Sequence, residues 1–232
     1  MASTMHSFAN GAELAESLAA RVADSLASAV SARGSASIAV SGGSTPKAFF
    51  QTLSRLPIAW EKVTITLVDE RFVPADNPRS NHLLVAENLL QNEAATAHFM
   101  PLYQEAKTAA DAAKIATEKV KDIGAPFDVV ILGMGTDGHT ASFFPGGNNL
   151  VQALDPATPR GVITMEAEGA GEPRLTFTFS SLQDARLLVL HIEGEGKKTV
   201  LEKAEEPGEE AEMPIRAMLR RAASPVEIYW AP

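Results

Sequence analysis

The chain of 232 residues is 45% hydrophobic and 21% charged, a balance that supports a sizeable folded core and excludes a wholly disordered polypeptide. Its formal net charge of -9 argues against a general nucleic-acid binder, and any site for an anionic ligand must gather its own Arg and Lys side chains. The absence of cysteine excludes a disulfide framework, Cys-ligated zinc and thiol catalysis. With no signal-peptide pattern and no apolar run long enough to span a bilayer, the expected setting is cytoplasmic and away from membranes.

In chain order, Leu14, Leu18, Val22, Leu26 and Val30 fall on one helical stripe, so a first helix is predicted over residues 12–30, ending near Arg33-Gly34. Ser37-Ile38-Ala39-Val40 reads as a short buried strand. It runs into Ser41-Gly42-Gly43-Ser44-Thr45-Pro46 and then a second helix over residues 47–53. Strand, glycine-serine loop and helix start form an arrangement that holds phosphate with backbone N–H groups. The bland reading of the loop is a Ser or Thr N-cap. A P-loop fails because Lys47 follows a proline, and a nucleophile elbow fails because Pro46 takes its last glycine position.

Residues 63–68 form a strong strand pattern ending in Asp69-Glu70-Arg71. Arg71 is the informative member, since a guanidinium suits a carboxylate, a phosphate or a developing oxyanion. The plain alternative is a solvated cluster in which Asp69 or Glu70 pairs with Arg71. A polar loop over residues 76–82 precedes a helix over 83–90. Ser80 or Asn81 could cap it, and Arg79 could face an anion at its positive end. His82 reads as a first-turn helix residue. A further helix over residues 106–123 ends at Gly124-Ala125-Pro126.

The centre of the chain is Asp128-Val129-Val130-Ile131-Leu132-Gly133-Met134-Gly135-Thr136-Asp137-Gly138-His139-Thr140-Ala141-Ser142. A continuous apolar run is what a strand buried on both faces looks like. Ligands in open α/β sheets bind just beyond the carboxyl ends of such strands. Gly133 to Gly138 satisfies the dinucleotide fingerprint G-x-G-x-x-G, but that motif needs a helix at once, and Pro145-Gly146-Gly147 follow too closely. Glycines for a tight turn would explain the loop but not the Asp137-Gly138-His139 triplet. Asp and His could ligate zinc, but no third and fourth ligands appear at recognisable spacing, so no metal site is expected.

Later strands are predicted at 161–165, at 174–179 with half-buried alternation, at 186–192 and at 226–230. Between them lie a loop over 193–198, a helix over 199–204, an acidic solvated loop over 205–210 and a helix over 215–221 after Pro214. Strands alternating with helices predict an α/β fold: an open, mostly parallel, Rossmann-like sheet with helices on both faces, in a single domain over residues 1–232.

Four loops now stand at strand ends, and together they resemble the glucosamine-6-phosphate isomerase/6-phosphogluconolactonase family. The resemblance rests on residues 133–146, which look like the lactonase signature, with Ser41 to Pro46, Asp69-Glu70-Arg71, Ser80-Asn81 and Arg174-Leu175-Thr176 in the same order. It implies hydrolysis of 6-phosphogluconolactone to 6-phosphogluconate in the pentose phosphate pathway, with a small sugar-phosphate lactone as partner and no cofactor. His139 is the expected general base, because imidazole can take a proton at neutral pH. Asp137 would orient it, and Arg71 would stabilise the oxyanion or hold substrate. Gly42, Gly43, Ser44, Thr45 and Asn81 are the loop candidates for substrate and phosphate. Arg79, Arg174 and Lys197 are the cationic ones, with Lys198 as plausible as Lys197. The related deaminase/isomerase carries an acidic residue five positions beyond the histidine, where this chain has Phe144, and a tyrosine where Arg71 stands. A sugar-phosphate sensor without turnover is the non-enzyme alternative. A monomer or small homo-oligomer is expected, with no nucleic-acid or membrane partner.

Overall fold

A computed structural model describes residues 3–232. The elements, in chain order, are β1 (Thr4–Ser7), α1 (Gly11–Arg33), β2 (Ala36–Val40), α2 (Lys47–Leu53), β3 (Val63–Leu67), β4 (Asp69–Arg71), α3 (Asn81–Asn88), β5 (His98–Met100), α4 (Ala109–Val120) and β6 (Val129–Leu132). They continue with α5 (Leu150–Leu154), β7 (Val162–Met165), β8 (Arg174–Phe177), α6 (Phe179–Leu182), β9 (Leu187–Glu193), α7 (Glu195–Glu205), α8 (Ile215–Arg221) and β10 (Val226–Ala231). Seven strands form one sheet in the order β1-β10-β9-β6-β2-β3-β5, every pair parallel. The expected α/β architecture with a mostly parallel, helix-flanked sheet is what the chain adopts. Every residue of β2 and β6 is buried, because helices and loops cover a parallel sheet on both faces.

Local chemistry explains the helix limits. Asn10 caps α1 by accepting the Glu13 N–H at 2.9 Å, and Gly34, at φ 81°, closes it with its N–H on the Val30 carbonyl. Thr108 caps α4 through the Asp111 N–H. At the other end of the sheet, Asp128 ties β6 to its neighbours. It accepts the Ser37 N–H at 2.9 Å and pairs with Arg33 and Arg186.

A second sheet was not foreseen. β4, β8 and β7 form a three-stranded antiparallel layer, entered because Val68 alone separates β3 from β4. This corrects the reading of β8 as half-buried: all four of its residues are buried. The helix α6 begins at Phe179, where a strand was expected to continue. β1, β5 and α5 were also unforeseen. The first two are short edge strands of the main sheet, and neither Thr4-Met5-His6-Ser7 nor His98-Phe99-Met100 carries a clear alternation. The loop expected over 193–198 is shorter, since α7 already starts at Glu195.

The topology fixes where a ligand can bind. After β2 the chain adds β3 and β5 on one side, then returns to place β6, β9 and β10 on the other. The reversal lies between β2 and β6, and a crevice opens beyond the carboxyl ends of strands at such a switch point. Among the described residues, no helix is long and apolar enough to cross a membrane.

Candidate active site

The loops leaving β2 and β6 meet at that crevice and are tied together by Ser41. Its N–H and its hydroxyl each donate to the Ile131 carbonyl at 3.0 Å, and its Oγ accepts the Gly133 N–H at 3.0 Å. Gly42 permits close packing of the loop on α3, because a Cβ there would overlap the Asn81 amide. No side chain caps α2, so Ser44 and Thr45 do not serve as N-caps. Both line the crevice, as do Gly42, Gly43 and Pro46.

The β6 loop folds back on itself. The Gly135 N–H donates to the His139 carbonyl at 2.8 Å, and Thr140 Oγ1 donates to the Gly133 carbonyl at 2.7 Å. A Cβ on Gly135 would run into the His139 ring, so this turn is available only to glycine. The result is a defined pair: Asp137 Oδ1 accepts the His139 N–H at 3.1 Å and lies 2.6 Å from His139 Nδ1. Burial alone would raise the Asp137 carboxyl. The His139 backbone N–H, the imidazole charge and the side-chain bond outweigh it, leaving the carboxyl below its ordinary range. An ionised partner at Nδ1 selects the tautomer with its proton there and leaves Nε2 as the basic nitrogen.

Beside them is a cavity of about 290 Å³. Its wall includes the β2 loop, Asp69, Arg71, Asn81, His139, Arg174, His191 and Lys197. Asp137 backs His139 without lining the cavity itself. Arg71 donates from Nη1 to the Arg79 carbonyl at 2.5 Å and to Asn81 Oδ1 at 3.3 Å, while Asn81 Nδ2 donates to the Asp69 carbonyl at 3.0 Å. Asp69 itself accepts the Ser142 hydroxyl at 2.5 Å. Arg71 is thus held by neutral oxygens and not paired with Asp69 or Glu70. Arg174 donates from Nη2 to the Ala170 carbonyl at 2.7 Å and lies over the Phe144 ring at 5.4 Å. Burial lowers its guanidinium from the ordinary arginine range, with Asp69 opposing. The Nε atoms of Arg71 and Arg174 are buried and have no hydrogen-bond partner among the described residues.

Lys197 donates to the Met134 carbonyl at 2.6 Å and lines the cavity. Burial lowers its ammonium, against the pull of Asp137. Its neighbour Lys198 lies over the Trp230 ring at 4.3 Å, away from that wall. Arg79 is not brought to the cavity. Its Nε pairs with Glu172 at 2.8 Å on the surface, and only its carbonyl serves the site.

Glu70 was missed. Buried beneath the site, it accepts the Arg71, Asn81 and His82 N–H groups at 2.7, 2.8 and 2.8 Å and the Ser80 hydroxyl at 2.9 Å. The anion at the start of α3 is therefore internal, while Ser80 also caps that helix. Burial pushes the Glu70 carboxyl up, and its four donors draw it back only in part. The signal was present as Glu70 one residue from Arg71 and a Ser-Asn cap downstream, but only the β3–β4 turn brings them together. His82 sits in the first helical turn with its ring against Phe99. Among the described residues, no group of three or more His, Asp or Glu side chains is arranged to hold a metal ion.

A family profile described as "Glucosamine-6-phosphate isomerases/6-phosphogluconolactonase" matches residues 9–230. A 6-phosphogluconolactonase of Rhizobium meliloti (strain 1021) is 71% identical over 232 residues, covering 100% of both chains. One from Mesorhizobium japonicum is 53% identical over 227 residues, covering 98% of this chain and 94% of the relative. A crystal structure of a 6-phosphogluconolactonase from Shewanella baltica OS155 superposes with a TM-score of 0.96 at 42% identity, covering 99% of this chain and 98% of that one. Identity of this extent over the full length, together with a shared fold, means that the chain belongs to the glucosamine-6-phosphate isomerase/6-phosphogluconolactonase family.

Proposed function

We propose that this protein hydrolyses 6-phospho-D-glucono-1,5-lactone to 6-phospho-D-gluconate, the lactonase step of the oxidative pentose phosphate pathway. The observation that carries this reading is His139, backed by Asp137 at 2.6 Å, on the wall of a cavity that also presents Arg71, Arg174 and Lys197. His139 Nε2 takes a proton from water as the oxygen attacks the lactone carbonyl, and Asp137 stabilises the imidazolium that forms. Arg71 offsets the charge on the tetrahedral oxyanion. The intermediate then collapses, the ring C–O bond breaks, and the leaving alkoxide takes the proton from His139. Water is consumed and no electrons are transferred, so the reaction needs no redox cofactor, and His139 supplies the base that activates water. The β2 loop, from Gly42 to Thr45, holds the phosphate with Arg174 and Lys197. Charge-assisted donors suit that dianion.

Deaminase/isomerase activity is disfavoured by Phe144. Its ring lies 4.5 Å from the His139 ring, where a second proton-transferring carboxyl would be needed. The test is hydrolysis of freshly made 6-phosphogluconolactone, corrected for spontaneous opening, by wild type and His139→Ala, with glucosamine 6-phosphate assayed alongside. Rapid wild-type hydrolysis that falls near background in a folded variant supports the reading. Ammonia from glucosamine 6-phosphate without lactone hydrolysis overturns it.

A further inference from the structure

β9 is a strand of leucine, valine and isoleucine interrupted by His191, whose side chain is 2% exposed. An imidazole in that position is costly unless its nitrogens find partners. One of them does: Nε2 lies 3.0 Å from Glu193 Oε1. The Glu193 carboxylate is in turn seated on the first turn of α1, where a Cβ on Gly11 would come within 2.9 Å of Oε2. The positive end of a long helix favours a carboxylate there. A carboxylate only accepts, so Nε2 carries the hydrogen, and a ring whose single proton sits there presents Nδ1 as an acceptor. Phe49 meets the ring edge-on at 6.1 Å, and Tyr229 is its register neighbour on β10. Nδ1 has no protein partner among the described residues, and His191 lines the cavity.

That acceptor faces a set of donor side chains, and the wall's carboxylate, Asp69, is already engaged by the Ser142 hydroxyl. Arg71, Arg174, Lys197 and the hydroxyls of Ser44 and Thr45 suit anionic oxygens. A lone pair repels a phosphate but matches a hydroxyl. We propose that His191, fixed in one tautomer by Glu193, is a specificity residue that accepts a hydrogen bond from a hydroxyl of the sugar chain. The proposal rests on the lactonase reading and adds to it a means of recognising the polyol, separate from the grip on phosphate.

The test compares wild type with His191→Phe and His191→Asn by calorimetric binding of 6-phosphogluconate, its singly deoxygenated analogues and inorganic phosphate, together with lactone turnover. His191→Phe is expected to weaken 6-phosphogluconate about tenfold, the scale of one neutral hydrogen bond, and to raise KM with little change in kcat. Inorganic phosphate binding should not change. One deoxy analogue should bind wild type and variant alike, which identifies the hydroxyl by a thermodynamic cycle. His191→Asn, whose amide oxygen can accept, should recover part of the loss. Should the Phe variant not fold, the Asn variant carries the same comparison with a smaller factor. Equal weakening of every analogue, loss of phosphate binding, or parity with wild type throughout overturns the proposal. Absence of turnover with the hydroxyl-specific difference intact overturns only the lactonase reading, and a wild type that binds none of these sugar phosphates overturns both.

Discussion

Asp137 Oδ1 lies 2.6 Å from His139 Nδ1, on a loop so tight that Gly135 cannot carry a Cβ. Two residues two positions apart in sequence thus form one hydrogen-bonded pair. His139→Ala should lower kcat about 100- to 10,000-fold, the scale of a lost general base. Asp137→Asn keeps the shape but loses the charge that selects the tautomer, and should lower kcat about 10- to 100-fold. Steady-state kinetics on both folded variants check this. Equal rates for wild type and Asp137→Asn would remove Asp137 from the mechanism.

The same pair sets a pH dependence of stability. The Asp137 carboxyl is held below its ordinary range, so the folded state releases this proton more readily than the unfolded chain. The stabilisation is present above the ordinary carboxylate range and is lost as pH falls through the lower folded value. Both partners are partly exposed, and solvent screening keeps the effect small. Thermal melts of wild type and Asp137→Asn should differ at neutral pH and converge in acid. A gap that widens in acid contradicts the assignment.

How far the sequence could be read follows from the range of each interaction. Strands β2, β6 and β9 were legible because burial on both faces leaves largely apolar runs, and β3 because Val63-Thr64-Ile65-Thr66 is rich in β-branched residues. The placement of His139, Arg71, Arg174 and the β2 loop at one end of the sheet followed from strand ends and from the family resemblance. The three-stranded layer of β4, β8 and β7 was not legible, since pairing Glu70 with Leu175 depends on a contact across more than a hundred residues. Arg79 illustrates the same limit. Its type and position suited an anion, but Glu172 on the distant 166–173 turn takes its side chain.

Glu70 anchors Arg71, Ser80, Asn81 and His82 from below. Glu70→Gln replaces a full acceptor set with one that must turn a donor toward other donors, and should cost about 2–4 kcal/mol. Its pH sign is opposite to that of Asp137: burial raises the folded carboxyl, so the wild type gains stability from this group as pH falls from above the raised value toward the ordinary one. Denaturant titration of wild type and variant at several pH values measures both effects. An unchanged midpoint would mean that the donors are satisfied elsewhere.

Gly42→Ala tests the packing between the β2 loop and α3. The added Cβ would overlap the Asn81 amide, which holds both Arg71 and the Asp69 carbonyl. Overpacking of this kind costs about 1–3 kcal/mol, and displacing Asn81 also releases Arg71. The variant should melt lower and lose kcat/KM, whereas Gly146→Ala, at a glycine with φ 68° and open space around it, should lose stability only. Equal kinetics for Gly42→Ala and wild type would separate Asn81 from the catalytic arrangement.

Phe144→Glu asks whether the family's two chemistries differ by one side chain. The Phe144 ring is 8% exposed and lies against both His139 and Arg174. A carboxylate in its place would lose that apolar packing and stand beside the Arg174 guanidinium. The ion pair formed would draw Arg174 away from the cavity it lines and alter the surroundings of His139. Lactone hydrolysis should fall about tenfold or more, mainly through KM, as a competing ion pair with a desolvated cation would cause. Ammonia release from glucosamine 6-phosphate should stay at the wild-type level, because Arg71, where the related deaminase/isomerase carries a tyrosine, is unchanged. The two assays used on wild type check this. Ammonia release from glucosamine 6-phosphate by this single variant would show that Phe144 alone separates the two reactions.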